Sequence, residues 1–239
     1  MSELAGQVVV VLGGSGGIGL ETARRARAAG ADVVIVGRDP QRLARAADEV
    51  GAAATAAFDA TDPEALQRFF AGLSDPVDHV MVTAGGNYYA RLADLDLDRA
   101  RRLVEEHLWL PLHLALAVTG RLRPAGSLLF MGGTGGRRPG PGLLLPGALT
   151  AAMPALVANL AIELAPARVN LVAAGFVDTE LSARLLGDDL ERRREQLRTM
   201  LPIGRVVGPA DVAALAVHLM ANTAVTGATY DIDGGQQLV

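Results

Sequence analysis

Residues Val8–Gly19 read V-V-V-V-L-G-G-S-G-G-I-G, and an alanine- and arginine-rich segment follows. Five apolar residues, four of them β-branched, suit a strand buried on both faces, and the glycines suit a tight turn into a helix. The first turn of such a helix carries free N–H groups and the positive end of its dipole, which together favour a phosphate. The plain alternative is a glycine-rich turn with no ligand, so the rest of the chain must decide.

Composition narrows the classes. The 239 residues are 50% hydrophobic and 20% charged, enough apolar material for one large α/β core. A net charge of −4 gives no basic footprint for nucleic acid. The absence of cysteine excludes disulfides and thiolate chemistry and fits a reducing cytoplasm, the expected location. Ser2-Glu3 precedes only a short apolar run, so no secretory leader is expected. Residues 139–162 carry no charge but contain Pro139, Pro141, Pro146 and Pro154. They read as a flexible loop followed by a buried core helix rather than as a membrane span. Pro154 should kink that helix.

Strand-like and helical stretches alternate from end to end. Strands are expected at 8–12, 32–37, 53–58, 77–82, 127–131, 169–173 and 229–232. Helices are expected at 17–29, 40–50, 63–73, 97–118, 147–164, 179–200 and 209–220. The pattern predicts a single doubly wound domain over 1–239, a Rossmann-like parallel sheet of about seven strands with helices on both faces. Ligands of such sheets bind beyond the carboxyl ends of the strands.

The strand ends carry the chemistry. After the first strand stand Gly13, Ser15, Gly16, Gly17, Ile18 and Gly19, then Leu20-Glu21 where a triphosphate-binding loop needs Lys-Ser or Lys-Thr. The second strand ends Gly37-Arg38-Asp39. An NAD-binding fold usually places an acid there for the ribose 2′-hydroxyl. Gly37 instead leaves room, and Arg38 can pair bidentately with a 2′-phosphate, which favours NADP(H) over NAD(H). Arg38 as a solvated loop arginine is the plain alternative.

With these residues in place the chain resembles the short-chain dehydrogenase/reductase family over nearly its whole length. The glycine run is similar to that family's T-G-x-x-x-G-x-G, with Leu12 at the threonine position. Asp59, followed by Ala60, resembles the aspartate that contacts adenine. Thr83-Ala84-Gly85-Gly86 resembles N-N-A-G. Arg168-Val169-Asn170 and Ala174-Gly175-Phe176-Val177-Asp178-Thr179 resemble R-V-N and P-G-x-V-x-T. The resemblance implies that Val177 contacts the nicotinamide carboxamide through its backbone and that Thr179 contacts the phosphates. Asp231-Ile232-Asp233-Gly234-Gly235 resembles the C-terminal V-D-G-G.

The same resemblance implies a catalytic Ser, Tyr, Lys and Asn. An ungapped alignment from Gly126 to Leu164 puts the Ser, Tyr and Lys positions on Gly133, Pro146 and Thr150, and the Asn position, within Glu106-His107-Leu108, falls on His107. A shift in alignment does not restore the Tyr-Lys pair, because the chain has no tyrosine between Tyr89 and Tyr230 and no lysine at all. A tyrosine is a poor acid at neutral pH until a cation stabilises its phenolate, so the usual alcohol–ketone mechanism is not expected.

Each replacement candidate has a plain alternative. His107 can donate or relay a proton but is as readily a packed helix histidine, and His113 falls on another face. Tyr88 and Tyr89 would overhang the nicotinamide or merely wall a pocket. Thr134 offers a hydroxyl beside the lost serine. Arg137 and Arg138 would clamp an acidic substrate or stay solvated. Residues 179–205 resemble the family's substrate lid, and Leu143–Pro146 would give the opposite wall an apolar character, so an apolar small molecule is the expected partner. The family resemblance also implies a homo-oligomer, a tetramer or dimer; no nucleic acid, membrane or metal is expected. Three functions stay open: an NADP(H)-dependent oxidoreductase with an atypical site, a non-catalytic sensor or silent subunit, and a cofactor-assisted lyase, isomerase or cyclase.

Overall fold

The computed structural model describes residues 3–239, so Ser2, on which the expectation of no leader partly rests, lies outside them. Seven parallel strands form one sheet in the order β3-β2-β1-β4-β5-β6-β7. They are β1 (Val8–Leu12), β2 (Asp32–Gly37), β3 (Ala54–Ala57), β4 (Val77–Val82), β5 (Leu122–Gly133), β6 (Arg168–Ala174) and β7 (Thr229–Ile232). From β1 the chain winds outward through β2 and β3, then returns to lay β4 on the other side of β1. The crevice at that reversal lies beyond the ends of β1 and β4.

Period-two alternation sends each strand's side chains to opposite faces. Val9 and Val11 of β1, with Val33 and Ile35 of β2, pack under α1 (Gly17–Ala28), α2 (Pro40–Val50) and α9 (Pro209–Ala221). Val10 and Leu12, with Val80 and Val82 of β4, pack under α3 (Pro63–Ala71), α5 (Leu110–Val118) and α6 (Leu144–Glu163). A run apolar at every position is therefore required, because both faces of β1 are covered.

Four expectations need correction. The helix expected over 97–118 is α4 (Leu97–Val104) and α5 joined by a π turn at Glu105–Trp109. Such turns insert one residue and re-aim the side chains around them. The helix expected at 179–200 is broken by Gly187, with α7 (Glu180–Leu186) and α8 (Leu190–Met200) on either side. Beyond β5 the helix α6 starts at Leu144, so Pro146 lies in its first turn rather than in a loop. It is also not a buried core helix. Leu149, Met153, Val157 and Leu160 face the core, while Ala148, Ala151, Ala152, Ala155, Ala158 and Ile162 are exposed. By length and composition α6 is apolar enough to cross a membrane, but its stripe against the sheet is that of a packed helix. Its helical run continues through Pro154.

Candidate functional site

The glycine turn is pressed against the end of β4. Gly13 has φ +88°, and a Cβ there would strike Thr83 and the Ala84 amide. The Thr83 amide and hydroxyl both donate to the Leu12 carbonyl, at 2.8 and 3.0 Å. Ser15 lies on the end of β2, its Oγ 3.0 Å from where Gly37 would carry a Cβ. The helix that follows is uncapped: Gly16 offers no side-chain acceptor to the amides of Gly17, Ile18 and Gly19. Its neighbours are not left so, since Asp39, Asp62 and Asp96 each accept two amides at the starts of α2, α3 and α4. Free donors with no carboxylate in the first turn suit an external anion.

Around this turn stand most of the other expected residues. Arg38 and Asp59 are exposed beyond β2 and β3, 3.8 Å apart, and Asp59 accepts the Thr61 amide and hydroxyl. Ala60 is buried behind them. Thr179 caps α7 and brings its methyl within 3.7 Å of the Cβ position of Gly17, so the β6 end meets the β1 end. Val177 is buried and pairs with Val207, and Gly175 packs on Asp233 and Gln236.

The Gly85–Gly86 segment after β4 is held by the π turn. The Gly86 amide donates to Glu106 Oε2 at 2.7 Å, and His107 Nε2 donates to the Gly86 carbonyl at 2.9 Å. His107 stands at a motif position in the sequence, whereas Glu106 carries no signal there beyond its adjacency to His107. Further along, a cavity of about 220 Å³ is lined by Gly133, Thr150, Pro154, Leu171 and Arg137. A Cβ on Gly133 would lie 3.2 Å from the Thr150 methyl, so these two small residues do meet.

Residues 13–237 match the family described as enoyl-(acyl carrier protein) reductase. The chain belongs to the short-chain dehydrogenases/reductases. It is 33% identical to the galactitol 2-dehydrogenase (L-tagatose-forming) of Cereibacter sphaeroides over 98% of this chain and 96% of that one. The structure of MalC reductase/Diels-Alderase from Malbranchea aurantiaca superposes with a TM-score of 0.91 at 25% identity, covering 100% and 99% of the two chains. BdcA in complex with NADPH superposes at 0.87 with 28% identity, covering 97% and 95%. The fold is thus that of a nicotinamide-cofactor oxidoreductase family.

Within this dehydrogenase/reductase frame some candidates find other work. The Tyr88 hydroxyl accepts the Asp96 amide at 2.7 Å, and its ring is buried with Leu103 and Leu149 under the Arg99 guanidinium. It supports the start of α4. Tyr89 beside it is exposed. Arg137 is spent on Asp231, bidentately at 2.5 and 2.7 Å, and on Gln237; that ion pair holds the Asp231 carboxyl below its usual range. Arg138 bonds the Val239 carbonyl. Both arginines are thus engaged with the C-terminal segment. Thr134 is buried with its amide on the Ala174 carbonyl, and His113 stacks on Trp109.

Proposed function

We propose that residues 1–239 form one NADP(H)-binding domain of an oxidoreductase that works without a tyrosine–lysine pair. What carries the reading is one contrast. The β1, β4 and β6 ends converge on an uncapped helix start, while the aligned catalytic positions hold Gly133, Pro146, Thr150 and His107. Gly13, Ser15, Gly16, Gly17, Ile18 and Gly19 would hold the pyrophosphate. Asp59 and Ala60 would hold the adenine, with Ala84, Gly85 and Gly86 as the wall beside it. Gly175 and Val177 would hold the nicotinamide end, and Thr179, beside Gly17, the phosphates. Arg38 favours a 2′-phosphate over a free 2′-hydroxyl. When bound, the cofactor supplies the hydride.

The substrate proposed is an apolar small molecule with a polarised C=C or C=N bond, which accepts hydride with less help from a protein acid than a ketone needs. Residues 179–205 act as its lid. His107 and Thr134 remain the side chains nearest to acid–base duty; His107 already spends its Nε2 proton on Gly86. The chain works in the cytoplasm as a homodimer or tetramer, with the exposed alanines of α6 and the exposed Trp109 and Leu116 buried between copies.

NADPH oxidation followed over a panel of enones, imines and quinones tests the reading. Turnover of one class supports it, and tight NADPH binding with no turnover of any class overturns it. A second reading, a cofactor-assisted cyclase, is favoured by the likeness to a protein named a reductase/Diels-Alderase. Product formed without net NADPH consumption would select it.

A further inference from the structure

Arg42, on the first turn of α2, lies across the mouth of the glycine turn. Its Nε donates to the Ser15 carbonyl at 2.9 Å, and its Nη2 to Glu180 Oε2 at 2.6 Å. A Cβ on Gly16 would run into the guanidinium, so the turn has room for this arginine only because position 16 is glycine. Ser15, which it grips, is the residue pressed on Gly37 at the end of β2, and Arg38 follows at once. Two guanidiniums therefore flank the place where β2 ends. Arg38 stands only loosely by Asp59 at 3.8 Å, while Arg42 is held by a carboxylate from the first residue of α7.

We propose that Arg42 is a second specificity arginine for the 2′-phosphate, and that Glu180 holds its place until the phosphate displaces it. This rests on the NADP(H) reading above. The pair is weak enough to exchange: Glu180 is 69% exposed and Arg42 31%, and exposed ion pairs add little stability. A phosphate presents more acceptor oxygens and more charge to the same planar fork. Because Glu180 opens the α7–α8 segment, the exchange also unties the lid from α2 when the correct cofactor arrives.

Competition has a sign that a purely structural clip lacks. Removing Glu180 removes a rival of the phosphate, so E180Q should bind it more tightly; removing Arg42 should weaken it. If the pair merely braces the turn, both variants weaken binding together. Adenosine 2′,5′-bisphosphate and adenosine 5′-monophosphate, titrated calorimetrically into the intact protein, isolate the 2′-phosphate. E180Q is expected to tighten the bisphosphate roughly two- to fivefold and R42Q to loosen it about tenfold, with the monophosphate unchanged in both. E180Q weaker than or equal to wild type, or R42Q equal to wild type, overturns the proposal. Wild-type protein that does not distinguish the two nucleotides overturns the NADP(H) reading itself. Discrimination that is lost in R38Q but kept in R42Q overturns the role of Arg42 alone.

Discussion

His107 Nε2 lies 2.9 Å from the Gly86 carbonyl while the preceding residue, Glu106, takes the Gly86 amide at 2.7 Å. One residue after β4 is thus gripped through both its amide and its carbonyl by two successive residues of the π turn. Since a carbonyl only accepts, the bound tautomer carries its proton on Nε2. E106A leaves the Gly86 amide without its charged acceptor and should cost about 1–2 kcal/mol in urea unfolding, with NADPH affinity falling as the segment loosens. E106A that matches wild type in both would deny the grip any role.

Tyr88 is expected to be structural. Y88F removes the acceptor of the Asp96 amide and should lower stability by about 1 kcal/mol while leaving the turnover number within about twofold of wild type. A large loss of turnover with unchanged stability would return Tyr88 to the active site.

His79 sets a pH dependence of folding. It is buried in β4 between Gln7 and Ser127, with Nε2 donating to Gln7 Oε1 at 2.7 Å and Nδ1 accepting from the Ser127 hydroxyl at 2.8 Å. Burial, helped by the nearby Arg168 charge, lowers its pKa from 6.5 to about 4. The unfolded chain therefore binds a proton near pH 6.5 that the folded chain refuses until near pH 4. Its contribution is fully present above pH 6.5 and is lost as the pH falls through that window, by about 3 kcal/mol in all. H79Q should flatten the stability profile between pH 6.5 and 4, and an unchanged slope would remove His79 as its source.

The outward alanines of α6 should face another copy of the chain. A155R places a charge on that exposed stripe, far from the core-facing Met153 and Val157. Light scattering is expected to show an oligomer for wild type and a smaller species for A155R at equal secondary structure. A monomeric wild type would refute the interface.

The β1 run and the strand-end motifs made the sheet and the glycine turn legible, because burial on both faces demands unbroken apolar strands. What escaped the sequence is where spacing carries no signal. A π turn has no composition of its own, so Glu105–Trp109 read as ordinary helix. An absence of charge does not distinguish burial from exposure in α6, because alanine is as much at home on an exposed face awaiting a partner. Nothing in the sequence marks the partners of Arg137 and Arg42, because Asp231 and Glu180 lie 94 and 138 residues away in the chain. Long-range ion pairs of that kind become visible only once the fold brings the strand ends together.

The most direct test is calorimetric titration of NADPH and NADH into the same wild-type protein. NADPH is expected to bind with a micromolar Kd, about tenfold or more tighter than NADH. Equal affinities, or no NADPH binding at all, would contradict an NADP(H) cradle built on Arg38 and the uncapped start of α1.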